Sequence, residues 1–499
     1  LSDIGPYKTV SLLENIHPKS PFKFLEKGSF NLYGQHSGPR QRPSTSVVKT
    51  LLSDAIEEVF DIPCIWGPPE NINNYIPKHK EAVRMCEISA MDADRMALAA
   101  NDYCMSIIDT LPDSALRGIQ PLSKEITLSG QDGIAQLRSV VMSTSCGFPI
   151  NKPKSTVLTR TGVSSDFVTD VIEAPDYVWD RVEKCEKMLL AGKRCHFVFK
   201  CSLKDEPKKI GSGKVRVFAG VSLEGLLIVR KYFLPLGVII MRNPYKFESA
   251  VGINAHGRDW DRFVKHVTQK GSDRMIAGDY ASFDSSMSPT ASMAAFSCLL
   301  YLASKCGYSE EDLTVMRGIA TEICYPTYDF FGEIVVVSGS EPSGHPMTVF
   351  VNNIVNSLYI RYAYYSIYKF DKERFFNSYV TQMNYGDDNV MSVSEDRVEF
   401  NHTAIQTELS KIDVVYTMAS KDAESVPYIP FSEVSFLKRK WVLDDVSGIW
   451  LAPLEWASIN KMLTVCTASD SVCMEAHDAQ MLRSCVIEMF HHGREKYAD

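Results

Sequence analysis

QMNYGDDNVMSV, residues 382–393, sets two adjacent carboxylates between two stretches that read as strands. Gly-Asp-Asp-Asn is good turn chemistry: Gly386 and Asn389 tolerate positive φ and aspartate hydrogen-bonds its own backbone, so a tight hairpin forms cheaply. A turn alone gains nothing from placing Asp387 beside Asp388, where each raises the cost of ionising the other. The second reading is that something strongly positive sits there and uses both. The choice between them depends on residues elsewhere in the chain.

At 499 residues the chain is too long for one small core, and two or three subdomains are expected. Hydrophobic residues make up 45% and charged residues 23%, the balance of a soluble globular protein without repeats or low-complexity tracts. The apolar stretch GLLIVRKYFLPLGVIIM (225–241) is interrupted by Arg230, Lys231 and Pro235, so it reads as a buried helix or strand pair and not as a membrane span. No transmembrane segment and no signal-peptide pattern is found. The 13 cysteines lack C-x-x-C spacing and are expected to be buried free thiols in a reducing compartment. A chain that begins at Leu1 is expected to be an excised piece or a product released from a longer precursor.

A net charge of −8 argues against a nucleic-acid partner, but the distribution is uneven. Residues 192–218 carry Lys193, Arg194, Lys200, Lys204, Lys208, Lys209, Lys214 and Arg216 against only Asp205 and Glu206. A second cluster, Lys438-Arg439-Lys440, lies in FLKRKW. Each run is either a solvated face or the wall of a phosphate-binding channel in an acidic body.

Coarse periodicity gives mixed strands and helices, hence an α+β core followed by mainly helical material. CHFVFKCSL and KVRVFAG alternate like strands joined by a Gly-Ser-Gly turn. RMIAGDYASFDSSMSPTAS reads as strand, turn and helix, with Ser288 as N-cap, Pro289 at the first helical position and Gly307 as the stop. Another helix starts near Pro346, with Met347, Phe350, Val351, Ile354 and Leu358 on one face. SEVSFLKRKWVL is expected to be a strand pair, and the chain to be helical from Pro453 onward.

Asp279 is expected just past its strand and Asp284 in the following turn. Taken singly, each is an ordinary loop or capping carboxylate. Together with Asp387 and Asp388 they form a set of hard oxygen ligands suited to two Mg²⁺ or Mn²⁺ ions, the arrangement that serves phosphoryl transfer. Arg216 then fits a polyphosphate nearby. Lys421 reads either as a surface lysine or as a proton donor to a leaving pyrophosphate.

TSCGFP, KDEPKKIGSGKVR, DYASFD, SGHPMTVFVNN, YGDD, the lysine of ASKDAE and FLKR occur in that order over residues 143–441. The ordered set resembles the RNA-dependent RNA polymerases of picorna-like positive-strand RNA viruses, insect viruses among them. The resemblance implies a closed right-hand polymerase with an antiparallel-sheet palm. Fingers would span 1–225 and 285–338, palm 226–284 and 339–442, and thumb 443–499, a thumb short enough to be a trimmed one. It implies that Asp279 and Asp387 hold both metals with Asp388 in support, and that Lys421 is the general acid. Asp284, Ser343 and Asn352, completed by Thr348, would sense the ribose 2′-hydroxyl. Lys204, Lys214 and Arg216 would line the nucleoside-triphosphate channel, Thr144 and Ser145 would guide the template, and Lys438 and Arg439 would grip the primer.

The implied partners are an RNA template and nascent strand, nucleoside triphosphates, a small protein primer and other viral replication proteins. The implied location is the host cytoplasm at membrane-associated replication complexes. This chain departs from the family in carrying His345-Pro346 after Ser343-Gly344, which bears on the mobility of that loop. The family also tucks its N-terminal residue into the fingers. A reverse transcriptase or DNA polymerase would use the same metals, but with a bulky gate at positions 284 and 352. A non-catalytic RNA-binding scaffold would keep RNA affinity without the carboxylates, and a metal-dependent nuclease would need no triphosphates.

Overall fold

The computed structural model describes residues 16, 18–25, 29–36, 45–70, 75–88, 90–134, 136–163, 170–420 and 423–498. At its centre is an antiparallel sheet with the order Val380–Tyr385, Asp388–Val393, Met275–Tyr280 and Tyr416–Met418. Every residue of Met275–Tyr280 is buried, so both faces of this strand are covered. Strand alternation assigns the two sides. Met275, Ala277 and Val390 pack with Trp260, Phe263 and Trp441, whereas Ile276, Tyr280 and Met391 belong to the core that includes the Thr348–Ile367 helix. Asp279 and Asp388 share parity with the first set and lie on the side away from that helix.

The Thr348–Ile367 helix is buried continuously from Phe350 to Tyr365, not on the single apolar face expected. The Ala93–Ser106 and Pro289–Lys305 helices cover what the sheet does not. Most of the polar residues of the Thr348–Ile367 helix are partnered, the arginine among them. Arg361, wholly buried, bonds Asp102 at 2.7 Å and Glu248 through two nitrogens at 2.8 Å. Gln382 Nε2 and Tyr365 Oη donate to the same two carboxylates, so one ionic node joins two helices, the loop at Glu248 and the sheet.

The capping chemistry appears as expected. Ser288 accepts from the Thr290 amide, Pro289 opens the Pro289–Lys305 helix, and Gly307 follows it at φ +87°. Residues 225–241 fall inside one helix, Leu223–Arg242, which accommodates Pro235. Val198–Leu203 and Val217–Val221 do pair antiparallel, within a five-stranded sheet. They are not joined by a tight Gly-Ser-Gly turn, because the chain between them makes its own pairing of Lys208–Lys209 with Trp66–Gly67.

SEVSFLKRKWVL is not a strand pair. It folds back once, through Leu437 and Lys438 at positive φ with a single Phe436–Arg439 bridge, and Val442–Asp444 pairs instead with Ile449–Leu451. The chain after Pro453 is mainly helical, but Val465–Thr467 pairs with Val47–Lys49 and a bridged loop, Ser469–Val472, follows it. Lys461 lies over the Trp66 ring at 5.1 Å and Asp478 accepts from the Leu51 amide, so the segment 47–66 packs against the C-terminal region. The cysteines are free thiols, mostly buried or half-buried, with Cys473 exposed. Among the described residues no helix is long and apolar enough to cross a membrane.

Candidate active site

The Val380–Tyr385 and Asp388–Val393 strands are joined by Gly386 and Asp387 alone. Gly386, at φ +63°, takes the first central position that such a turn reserves for glycine. Asn389 is not a turn residue. It pairs with Gly278 in the strand register, and its side chain is buried. Asp279 also lies within its strand and not past it. One further step of the register sets Asp279 across from Asp388, and oxygens of Asp279, Asp387 and Asp388 all lie within 4.8 Å of one another. Three carboxylates so close, offering only hard oxygen donors, match the ligand set of Mg²⁺ or Mn²⁺ and not that of a thiolate- or imidazole-seeking metal. Asp279 is held by its neighbour's backbone, Tyr280 N–H donating to Oδ1 at 2.9 Å. Gly278 is dictated by close approach: a Cβ there would sit 2.0 Å from the Tyr416 hydroxyl.

Asp284 stands beside this cluster. Asn352 Nδ2 donates to Asp284 Oδ1 at 2.7 Å, and Asn352 Oδ1 is buried with no hydrogen-bond partner among the described residues. Burial pushes the Asp284 carboxyl up to about 6; the Asn352 bond opposes that shift, Glu341 and Asp387 reinforce it and Arg216 opposes it. Arg216 and Asp387 are therefore both within electrostatic reach of Asp284. Ser343 lines the same small cavity as Asp284, together with Glu81 and Glu341. The Thr348 hydroxyl instead donates to His345 O at 3.0 Å and so braces the loop, not the Asp284–Asn352 pair.

His345 is buried, with Nε2 against the Glu341 carboxylate and Nδ1 accepting from the Met347 amide at 3.2 Å. An Nδ1 that accepts leaves the ring proton on Nε2, so His345 donates to Glu341. The departure at His345-Pro346 thus pins the loop from inside.

The basic residues divide. Lys204 pairs with Glu206 at 3.1 Å, and Lys208 contacts the same carboxylate. Lys214 and Arg216 are exposed, and Lys461 from the C-terminal region lies within electrostatic reach of Lys208, Lys438 and Arg216. Thr144 and Ser145 are exposed on a loop fixed by the buried Lys154, whose Nζ donates to Thr144 Oγ1 and Ser145 O at 2.7 Å each. Lys438 is exposed and pairs with Glu455 at 2.7 Å. Arg439, expected in the primer grip, forks its guanidinium onto Glu488 with two bonds of 2.7 Å and also donates to Ala452 O, a strut to the Met474–Phe490 helix. Lys421 and the N-terminal residue lie outside the described residues.

Sequence reading missed Asn353 and Asn356. Asn353 Oδ1 accepts from the Gly386 amide at 2.6 Å, and Asn356 Nδ2 donates to Gly386 O at 3.0 Å. The signal was present in VNNIVNS, three asparagines in an apolar helix where asparagine is a poor helix former.

A family model described as viral RNA-dependent RNA polymerase matches residues 78–499. The replicase polyprotein of Drosophila C virus is 27% identical over 495 residues, covering 93% of this chain and 26% of its own length. The RNA1 polyprotein of cowpea mosaic virus is 27% identical over 395 residues, covering 74% of this chain and 20% of its own. The chain thus spans about a quarter or less of the length of these relatives. Among solved structures, a Sicinivirus 3Dpol RNA-dependent RNA polymerase superposes with a TM-score of 0.69 at 17% identity, covering 94% of this chain and 92% of that one, which gives the same right-hand polymerase fold. With 422 contiguous positions matched by the family model, the chain belongs to the viral RNA-dependent RNA polymerase family.

Proposed function

We propose that this chain carries out template-directed RNA synthesis for viral genome replication, adding ribonucleotides from nucleoside triphosphates to an RNA 3′ end. The observation that carries this reading is the convergence of Asp279, Asp387 and Asp388 beside the Asp284–Asn352 pair. Asp279 and Asp387, supported by Asp388, would hold two Mg²⁺ or Mn²⁺ ions. When bound, such ions lower the cost of forming the attacking oxyanion and of releasing pyrophosphate.

The protein's own residues do the rest. Asp284, Asn352 and Ser343 read the ribose, because a site with an unpartnered buried acceptor favours a substrate that brings a hydroxyl to it. Arg216 and Lys214, with Lys204, attract and orient the triphosphate. Thr144 and Ser145 border the template path, and Lys438 meets the primer backbone. Lys421 is the proton donor to the leaving pyrophosphate. The reading assigns fingers to 1–225 and 285–338, palm to 226–284 and 339–442 and thumb to 443–499; in its support, the four-stranded sheet falls within the palm ranges and the five-stranded sheet within the fingers ranges, and the pairing of Val47–Lys49 with Val465–Thr467 would join fingers to thumb. A small protein primer, other replication proteins and membrane-associated complexes in the host cytoplasm are the partners and place this reading assigns.

Primer extension on a short RNA hairpin with four ribonucleotides and Mn²⁺ tests it, wild type beside Asp387→Asn. A ladder from the wild type alone is expected. RNA retained by both proteins with product from neither would favour a scaffold, and shortening of the hairpin would favour a nuclease.

A further inference from the structure

Two features of the site, the ribose-reading pair and the metal turn, are both fastened to one helix. Asn352, Asn353 and Asn356 occupy adjacent turns of Thr348–Ile367, with 352 and 356 on one face. Asn352 holds Asp284. Asn353 Oδ1 receives the Gly386 amide, and its Nδ2 is anchored on Ser249 Oγ at 2.7 Å. Asn356 is wholly buried, and its Nδ2 faces three successive carbonyls of the turn: Gly386 at 3.0 Å, Asp387 at 3.3 Å and Asp388 at 3.4 Å.

The orientation of each amide follows from its partners. A backbone N–H against Asn353 requires oxygen there, and carbonyls against Asn356 require nitrogen. The remaining end of Asn356 is also occupied, Oδ1 accepting from Asn389 Nδ2 at 3.1 Å and Tyr280 Oη at 3.3 Å. Asn389 in turn accepts from Tyr416 Oη at 2.8 Å. A continuous polar seam therefore runs from Tyr416, on the last strand of the sheet, through Asn389 and Asn356 to the peptide groups that carry Asp387 and Asp388. It lies on the face of the sheet opposite Asp279 and Asp388.

We infer that Asn356 is a positioning residue for the metal-binding carboxylates, acting through the backbone of the Gly386–Asp387 turn and setting its distance from the Asp284–Asn352 pair. Fixing the peptide planes of residues 386–388 fixes the directions in which both aspartate side chains leave the backbone. A turn that opens on glycine is conformationally permissive, and these bonds, with that of the Gly386 amide to Asn353, restrict it. Sharing a rigid helix with Asn352 means that a displacement of the ribose reader and of the metal turn cannot occur independently. This inference rests on the metal reading of the carboxylate cluster, so its test measures metal binding directly.

Mn²⁺ binding to the full chain, without RNA or nucleotide, is titrated for wild type, Asn356→Ala, Tyr416→Phe and Asp387→Asn, with folding checked by circular dichroism. Partners that orient metal ligands are worth roughly 10–100-fold in affinity or activity. Asn356→Ala should weaken Mn²⁺ binding by about that factor and lower kcat with it, while KM for nucleoside triphosphate moves less than about threefold. Tyr416→Phe, at the far end of the seam, should shift Mn²⁺ affinity in the same direction by a smaller factor. Wild-type Mn²⁺ affinity in Asn356→Ala overturns the inference. If that variant does not fold, unchanged affinity in Tyr416→Phe overturns it instead. A wild type that binds no more Mn²⁺ than Asp387→Asn would overturn the metal reading itself, and the inference with it.

Discussion

Asn352 Nδ2 donates to Asp284 Oδ1 at 2.7 Å, leaving Asn352 Oδ1 buried without a partner next to a carboxyl that burial has raised to about 6. A ribose 2′-hydroxyl can satisfy such a group and a deoxyribose cannot, and under the proposed function the pair would then discriminate between sugars as well as brace the site. Asp284→Ala should lower the ratio of kcat/KM for a ribonucleotide over its 2′-deoxy counterpart by about 10–100-fold, chiefly by losing ribonucleotide efficiency. Single-nucleotide incorporation with both substrates gives the ratio directly. An unchanged ratio would remove Asp284 from sugar selection.

The buried node of Arg361, Asp102 and Glu248 predicts a different phenotype. Removing the arginine leaves two buried carboxylates without their cation, a change that costs about 3–5 kcal/mol. Arg361→Met should therefore lower the midpoint of urea unfolding strongly. Asp102→Asn combined with Glu248→Gln in the same chain should recover part of the loss, since the uncompensated charges are then gone. Denaturation curves of the three proteins decide it, and a wild-type midpoint for Arg361→Met would refute the role.

What the sequence disclosed and what it withheld divide along physical lines. The Asp387 hairpin, the Ser288-Pro289 start and the antiparallel pairing of Val198–Leu203 with Val217–Val221 depend on turn chemistry, capping and alternation, which are local. The misjudged elements depend on distant partners. Val465–Thr467 is a strand only because Val47–Lys49 supplies its mate, and the Lys208–Lys209 excursion exists because Trp66–Gly67 receives it. Charge was likewise visible and its use was not: Arg439 reads as a phosphate ligand until Glu488 is found beside it. The polar seam behind the catalytic turn escaped notice because asparagines in a helix announce a partner without saying which.

Glu81 and Asp284 make stability depend on pH in a definite direction. Burial raises both carboxyls, Glu81 to about 7, partly offset by Arg84 and reinforced by Asp284, and Asp284 to about 6. A carboxyl whose pKa is higher folded than unfolded binds its proton more tightly in the native state. Its contribution is complete below the unfolded value near 4 and is lost as pH rises through 6 to 7. Glu81→Gln cannot titrate, so its melting temperature relative to wild type should climb between pH 5 and pH 8. Parallel melting profiles across that range would show that Glu81 ionises normally.

Lys438 and Arg439 are neighbours in sequence with separate tasks, and a pair of substitutions should split them. Lys438 is exposed at the tip of a turn with Leu437 and itself at positive φ, and its ion pair with Glu455 is solvent-accessible and weak. Arg439 is largely buried, with its fork closed on Glu488, which also bonds His256. Lys438→Ala should leave the melting temperature within about a degree of wild type, reduce RNA affinity and flatten the dependence of log K on log salt by about one unit, as for one lost phosphate contact. Arg439→Ala should lower the melting temperature by several degrees, because Glu488 is left buried without its main counter-charge, and should leave the salt slope unchanged. Melting scans and fluorescence anisotropy with a labelled RNA hairpin at several salt concentrations measure both quantities on the same preparations. If Arg439→Ala were to flatten the salt slope at constant stability, the Glu488 strut would have to open on RNA binding, and the primer-grip assignment would belong to the arginine after all.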